Sequence, residues 1–126
     1  MVKAAAMKKR YIAFELRGNA LDKIDSESLK KAIYNEGLRF FGEYGMSFAA
    51  IKLVEYFPAK GIGLIRCERG KLEDVLGFLA LLDSLDGKPA RLVALSSSGT
   101  IRSIHDRLDL GPVVKPASPV RSTQSR

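Results

Sequence analysis

The sequence has little of the side-chain chemistry that enzymes and metal sites use. It contains one cysteine, Cys67, and one histidine, His105. A single chain of this composition can form neither an internal disulfide, nor a zinc cluster, nor a Cys–His nucleophile pair. The phosphate-binding loops GxxxxGK[ST] and GxGxxG are absent, and the carboxylates are scattered as helix caps and helix-surface charges. We therefore expect no catalytic residue and no metal ligand on this chain, and we expect His105 to be a surface residue.

Long apolar segments are also missing. No apolar run approaches the roughly 20 residues that a membrane-spanning helix needs, and the N-terminal MVKAAAMKKR lacks the apolar core of a secretory signal. The lone cysteine fits a reducing compartment, so we expect a cytoplasmic protein. With 126 residues, of which 46% are hydrophobic, the chain is large enough for one domain with a substantial core.

The net charge of +7 lies entirely in the two ends of the chain. Residues 1–10 carry four basic and no acidic side chains, residues 111–126 carry three and none, and residues 11–110 carry 14 of each. Basic arms on a neutral body favour a polyanionic partner, because they follow a phosphate backbone and release its counterions; the alternative is that they only aid solubility. We divide the chain into a basic arm (1–9), one domain (10–110) and a flexible, Pro/Ser-rich basic tail (111–126).

Strands and helices alternate along the domain. The pattern predicts strands at 11–17, 47–57, 62–68 and 91–96, a helix starting at Asp25 or Ser26, a loop at FGEYG (41–45), and helices at 72–85 and 101–108. In the first helix, Leu29, Ile33 and Phe40 share a face, and Gly37 would allow close approach to a sheet. A right-handed crossover leaves a gap that the third strand fills, so the antiparallel sheet has the order 4-1-3-2 with two helices on one face. The predicted fold class is α+β, ferredoxin-like, with an extra C-terminal helix.

The second predicted helix is more apolar than one buried face requires. Its sheet-facing side needs only about half of its apolar residues, which leaves Phe78, Leu81 and Leu85. Apolar clusters of this size on a surface mark an interface with another protein. The alternative is that the C-terminal helix or the tail covers them within the chain.

RNA binding finds partial support in the strands and loops. The third strand has the Lys-Gly start of RNA-binding sheets, but Ile, Leu and Cys stand where stacking needs aromatic rings. Base stacking on this strand is excluded, and the sheet face is more plausibly a packing surface. Residues 60–71 and 88–107 each carry a net charge of +3, which polarises the body. The stretch 96–100 (SSSGT) is either a phosphate-binding segment or a simple helix cap.

Four segments together resemble a known family. RYIAFEL, FGEYG, IRCERG and SSSGTIRS are similar, in order and spacing, to segments of the archaeal ribonuclease P protein component 2 family, which has relatives in eukaryotic ribonuclease P and MRP. The resemblance covers residues 9–107. Neither the N-terminal extension nor the tail belongs to it.

The resemblance implies a protein without catalytic groups that pairs with ribonuclease P protein component 3, forms a heterotetramer with it, and stabilises a catalytic RNA. That RNA removes the 5′ leader of precursor tRNA with Mg²⁺, and this chain would bind no cofactor. Charge and resemblance together nominate an RNA-binding set: Lys8, Lys9, Arg10, Lys60, Arg66, Arg69, Arg91, Ser98, Gly99, Thr100 and Arg102. The resemblance implies self-association through Phe41, Gly42, Tyr44 and Gly45, and the apolar excess nominates Phe78, Leu81 and Leu85 for the protein partner.

Two other functions stay open from the sequence. One is a different RNA-associated module of the same fold, which would prefer another RNA. The other is a small-molecule regulatory domain with this topology, against which the unpaired basic arms argue.

Overall fold

The described part of the chain forms six strands and three α-helices. The computed structural model describes residues 8–18 and 24–113. The first seven residues of the predicted basic arm, residues 19–23, and residues 114–126 of the predicted tail lie outside these ranges. In chain order the elements are β1 (Lys9–Arg17), α1 (Ser26–Ala49), β2 (Lys52–Phe57), β3 (Ile62–Glu68), α2 (Leu72–Leu81), β4 (Ser84–Leu85), β5 (Lys88–Pro89), β6 (Arg91–Ser98) and α3 (Ile101–Leu108), with a 3₁₀ turn at Arg69–Lys71.

The four long strands form one antiparallel sheet in the order β2-β3-β1-β6. Strands β1 and β3 are central, and β2 and β6 are the edges. The order 4-1-3-2 expected from the sequence describes the same arrangement, because β6 is the fourth long strand. This mixed architecture, an antiparallel sheet with three helices, is consistent with a ferredoxin-like fold.

Helix α1 begins where its capping residue predicts. The carboxylate of Asp25 accepts a hydrogen bond from the backbone N–H of Ser28 at 2.8 Å, and this bond lowers the pKa of Asp25. Gly37 is buried, but it faces Met46 of the same helix and not the sheet: a Cβ at Gly37 would come within 2.5 Å of the Met46 Cε. Phe40, expected on the buried face, is 47% exposed.

The predicted FGEYG loop is a kink inside a longer helix. Only Gly42 leaves helical geometry, at φ 76° and ψ 169°, a conformation that glycine adopts without a steric penalty. The chain is helical again up to Ala49, and β2 begins at Lys52, five residues later than 47. The prediction was wrong here because only Gly42 adopts a non-helical conformation. The helix therefore continues after the kink, and its last turns bury Met46 against the core.

Helix α2 is shorter than predicted. It ends at Leu81, and Leu82 is extended at φ −68° and ψ 126°. Asp86 and Gly87 both have positive φ, 54° and 78°, which is the requirement of a two-residue hairpin turn. The residues expected to extend the helix therefore form the β4–β5 hairpin.

The main core lies between the sheet and helices α1 and α2. Phe78 and Leu85, interpreted from the sequence as free for a partner, are 2% and 0% exposed. That interpretation is wrong: Phe78 lies on the buried side of the shorter α2, and the hairpin turns Leu85 inward. Leu81 is 69% exposed. The core consists of Ile12, Phe14, Leu29, Ala32, Ile33, Met46, Ala49, Ile51, Leu53, Ile65, Cys67, Val75, Phe78, Leu79, Leu82, Leu85, Ala90 and Leu92.

The second face of the sheet is covered by the chain itself. Helix α3, which begins and ends at the predicted residues, packs Ile104 on Ala13 of β1 and Leu64 of β3, and Leu110 completes this second cluster. The sheet face is therefore a packing surface, as the absence of aromatic residues on the third strand indicated.

His105 is a buried residue of α3. Its side chain is 3% exposed, and its ring nitrogens lie 2.6 Å from Glu55 Oε1 and 2.8 Å from the carbonyl oxygen of Gly111. The expectation of a surface histidine is wrong, because the residue next to Ile104 on α3 is turned onto the edge strand β2.

Gly63 of β3 is a test of how tightly this core is packed. A Cβ at Gly63 would come within 2.5 Å of the ring of Phe14, which is fully buried and has no space to retreat. We expect Gly63→Ala to lower the free energy of unfolding by about 1–3 kcal/mol, measured by urea denaturation. Gly77 in α2 is the matched control, since nothing lies within 4 Å of its added Cβ; Gly77→Ala should stabilise by about 0.5–1 kcal/mol. Equal effects of the two substitutions would contradict the packing described here.

Truncation of Phe78 is expected to destabilise the fold far more than truncation of Leu81. Phe78 contacts the rings of Phe40 and Phe41, with centroids 5.5 and 5.6 Å away. We expect Phe78→Ala to reduce the free energy of unfolding by about 3–5 kcal/mol, because it empties a buried site. Leu81→Ala should change it by no more than about 0.5 kcal/mol. A cooperative thermal melt distinguishes these outcomes, and a destabilised Leu81→Ala variant would place Leu81 in the core.

Candidate nucleic-acid interface

Strand register brings basic residues from distant parts of the sequence to one end of the sheet. Directly opposed residues of neighbouring strands point to the same face. Lys52 is opposite Arg66, Arg66 is opposite Tyr11, and Tyr11 is opposite Ser98. These four residues form a row across all four long strands, on the face that α3 partly covers.

We call this end of the sheet the basic end. Here β1 and β2 begin, and β3 and β6 end. Lys9 is opposite Glu68, and the carbonyl oxygen of Lys8 accepts a hydrogen bond from the backbone N–H of Arg69 at 2.8 Å. The basic end thus contains Lys8, Lys9, Arg10, Lys52, Arg66, Arg69 and Arg102, from four separate segments of the chain.

Arg10 lies next to the connection between β6 and α3. Its Nη1 is 3.6 Å from the position that a Cβ on Gly99 would occupy. The guanidinium therefore stands beside the exposed backbone of this connection, and a side chain at Gly99 would touch it. Arg102 follows in the first turn of α3 and is exposed.

The SSSGT segment is a helix cap. Thr100 Oγ1 accepts a hydrogen bond from the N–H of Ser103 at 3.2 Å, and Ser98 Oγ accepts one from the N–H of Thr100 at 3.2 Å. Ser98 is 7% exposed, so its hydroxyl has a structural role. Of this predicted segment, Gly99 and Thr100 present exposed atoms to the basic end.

Arg66 has an unusual environment among the cations. It is half-buried on the central strand β3, and its Nε is buried without a hydrogen-bond acceptor among the described residues. A buried donor without an acceptor costs about 1–3 kcal/mol. The sheet therefore holds a half-buried guanidinium at the basic end, and its buried Nε is a local cost of placing an arginine on a central strand.

Two predicted RNA-binding residues lie elsewhere. Lys60 is in the β2–β3 turn, next to Gly61, whose carbonyl oxygen accepts a hydrogen bond from the N–H of Leu16 at the far end of β1. Arg91 is opposite Arg17, the last residue of β1. Arg17 is seven positions further along the extended strand than Arg10, which corresponds to about 23 Å. We call the end of the sheet near Arg17 the far end. Lys60 and Arg91 lie at the far end and not at the basic end.

Lys52 is a member of the basic end that the sequence alone did not indicate. It is exposed and stands beside Arg66. Basic runs in the sequence did not reveal it, because the predicted second strand began at Ser47 and its register was unknown. Only the pairing of β2 with β3 brings Lys52 to the basic end.

The residues predicted to make protein contacts differ in exposure. Tyr44 is 80% exposed and packs edge-on against Phe48, with ring centroids 4.9 Å apart. Phe41 is half-buried against Phe40 and Phe78, and Gly42 provides the kink. Gly45 faces Phe41, since a Cβ on Gly45 would lie 3.2 Å from the Phe41 Cβ. Leu81 and Phe40 border a groove of about 220 Å³.

Cys67 and the possible metal ligands were natural candidates for a chemical site. Cys67 is completely buried, and burial raises the pKa of its thiol to about 11, so it is not a nucleophile at neutral pH. Among residues 8–18 and 24–113, no group of three or more His, Cys, Asp or Glu side chains is placed to hold a metal ion. Within the same ranges, no helix is long and apolar enough to cross a membrane.

The chain is similar in sequence to one family of known proteins. The model of the Rpp14/Pop5 family matches residues 10–108. Ribonuclease P protein component 2 of Pyrococcus furiosus is 35% identical over 97 residues, covering 77% of this chain and 79% of the relative. The proteins of the same name from Methanocaldococcus jannaschii and Archaeoglobus fulgidus are 34% and 38% identical over 96 residues, covering 75% of this chain and 68% and 83% of the relatives.

The fold has a counterpart in a solved assembly. A chain in the cryo-EM structure of yeast ribonuclease MRP superposes with a TM-score of 0.59 at 18% identity, over 86% of this chain and 89% of that chain. This similarity concerns the fold. The family match and the archaeal ribonuclease P relatives together show that the chain belongs to the Rpp14/Pop5 family.

Proposed function

We propose that this chain binds the RNA of ribonuclease P through the basic end of its sheet and stabilises that RNA in the shape that removes the 5′ leader from precursor tRNA. The observation that carries the proposal is the convergence of cations from four segments of the chain on one end of the sheet. Phosphate oxygens are strong acceptors for arginine.

The burial of the sheet face indicates which part of the chain would contact the RNA. Single-stranded RNA readers of this fold stack bases on an open sheet face, but here α3 occupies that face. The RNA would instead be held by phosphate contacts from the end of the sheet, with Gly99 leaving backbone accessible beside Arg10. Contacts of this kind position an RNA without reading its sequence.

Catalysis belongs to the RNA in this proposal. The chain neutralises phosphates that crowd together when a catalytic RNA folds, and the Mg²⁺ ions are bound by the RNA. The buried thiol of Cys67 and the buried imidazole of His105 take no part in the chemistry. We place this activity in the cytoplasm.

The protein partner in the proposal is ribonuclease P protein component 3, as part of a heterotetramer. Two exposed apolar sites support protein contacts: Leu81 with Phe40 beside α2, and Tyr44 with Phe48 after the kink of α1. We assign Leu81 to component 3 and Tyr44 to self-association.

The proposal predicts that the chain accelerates an RNA-catalysed reaction. Cleavage of precursor tRNA by an archaeal ribonuclease P RNA, with component 3 present, should be faster when this chain is added at limiting Mg²⁺, because protein cations replace part of the metal-ion requirement for folding the RNA. Gel analysis of the released 5′ leader measures the rate. A folded chain that binds component 3 but gives no acceleration would point to a module for another RNA.

The position of the RNA contacts is testable with charge-matched variants. Arg10→Ala/Arg102→Ala should flatten the dependence of log K on log[salt] by about 0.7–0.9 for each phosphate that the variant no longer neutralises. Lys60→Ala/Arg91→Ala removes the same charge at the far end and should leave the slope close to wild type. Filter binding to the RNA across a salt series measures both. Equal effects of the two variants would mean that net charge, and not the basic end, drives binding.

A further inference from the structure

The buried pair of His105 and Glu55 joins three segments of the chain. His105 lies on α3, Glu55 on the edge strand β2, and Gly111 follows α3. Nε2 of His105 is 2.6 Å from Glu55 Oε1, and Nδ1 is 2.8 Å from the Gly111 carbonyl oxygen. His105 is 3% exposed, so water does not compete freely for these bonds.

The partners of the ring determine its protonation. A backbone carbonyl and an ionised carboxylate can only accept hydrogen bonds, whereas a neutral imidazole has one N–H to donate. Both bonds are satisfied together when both ring nitrogens carry protons. The geometry therefore calls for an imidazolium paired with a carboxylate.

Other contacts of α3 do not replace this pair. The helix has eight residues, and a helix of that length is marginal without tertiary contacts. Ile104 anchors it on the sheet, and Arg107 donates to Ser96 Oγ and the Ser97 carbonyl oxygen at 2.7 and 3.0 Å on the β6 side. On the β2 side, the polar anchor is His105 with Glu55.

We propose that α3 is fastened to β2 by a proton-dependent latch, which is closed when His105 carries both ring protons and loosens when it loses one. Deprotonation leaves one of the two acceptors of His105 without its donor, which favours detachment of the C-terminal end of α3 from the sheet edge.

The direction of the pH effect follows from the surroundings of the ring. Burial lowers the pKa of His105, but the hydrogen bonds to Glu55 and Gly111 and the charges of Glu55 and Asp106 outweigh it, so that the pKa is raised above 6.5. The edge of the Phe57 ring, with its centroid 5.8 Å away, is uncharged. For a raised pKa, the stabilisation is complete below the unfolded value and is lost as the pH rises through the folded one. The latch thus opens as the pH rises through the raised pKa of His105.

A consequence for RNA binding rests on the proposed function. The same helix carries Arg102 in its first turn and is capped by Thr100 at the basic end. Opening of the latch would shift these residues relative to Arg10 and Arg66, and RNA affinity would fall over the same pH range. The latch itself does not depend on RNA.

The single histidine of the sequence makes the test direct. NMR of the ¹⁵N-labelled full chain reports the protonation of both ring nitrogens, and hydrogen exchange of the α3 amides, corrected for the intrinsic rate, reports the latch. We expect His105 to titrate above 6.5 and α3 protection to fall as it does so, by about tenfold for each unit by which docking raises the pKa. A ring that is neutral below that value, or unchanged protection across the titration, would overturn the proposal.

Glu55→Gln supplies the matched variant, because it should reverse the sign. A glutamine amide can donate to Nε2 of a neutral imidazole, while Nδ1–H still donates to Gly111. His105 should then titrate at lower pH than in wild type, and α3 protection should fall on acidification. The same pH response in both proteins would overturn the latch.

His105→Gln provides a second variant that cannot titrate, should Glu55→Gln fail to fold. Its α3 protection should be independent of pH over the range in which wild type changes; an unaltered pH response would also overturn the latch. RNA affinity measured in parallel separates the two proposals: a pH-dependent α3 with pH-independent RNA binding retains the latch and refutes the assigned RNA contacts of α3.

Discussion

Burial of the two central strands on both faces is the constraint on which the rest of this structure depends. Ile12 and Phe14 of β1 point into the core beneath α1 and α2, while Ala13 between them points to α3, and all three are completely buried. Leu64 and Ile65 of β3 divide in the same way. A sheet covered on both sides cannot bind a nucleic acid on its face, so its exposed functional groups are concentrated at its ends and on the outer surfaces of the helices.

This constraint gives α3 a larger role than its eight residues suggest. It excludes solvent from the second face and carries Arg102 next to the basic end. Its own attachment combines apolar contacts through Ile104 with polar contacts on both sides, Arg107 toward β6 and His105 toward β2. A short helix held in this way transmits changes at its buried polar contacts to its exposed first turn.

The distribution of charge and apolar surface separates two kinds of partner. The cations converge at one end of the sheet because antiparallel pairing aligns the start of β1 with the end of β3. Leu81 and Tyr44 are exposed on α2 and α1. The proposed function assigns the cations to RNA and these apolar side chains to protein contacts in this member of the Rpp14/Pop5 family.

Local signals in the sequence were sufficient for the elements that local chemistry controls. The bounds of β3 and α3 follow from β-branched residues, from the Thr100 cap and from flanking glycines. Tertiary structure decided the rest. Whether Gly42 ended α1 or only bent it depended on the space that Met46 could fill, and the burial of Phe78 and Leu85 depended on the β4–β5 hairpin. The neighbours of Arg66, His105 and Lys52 are set by strand register and helix docking between residues up to 55 positions apart, because side chains distant in sequence become neighbours only when the chain packs.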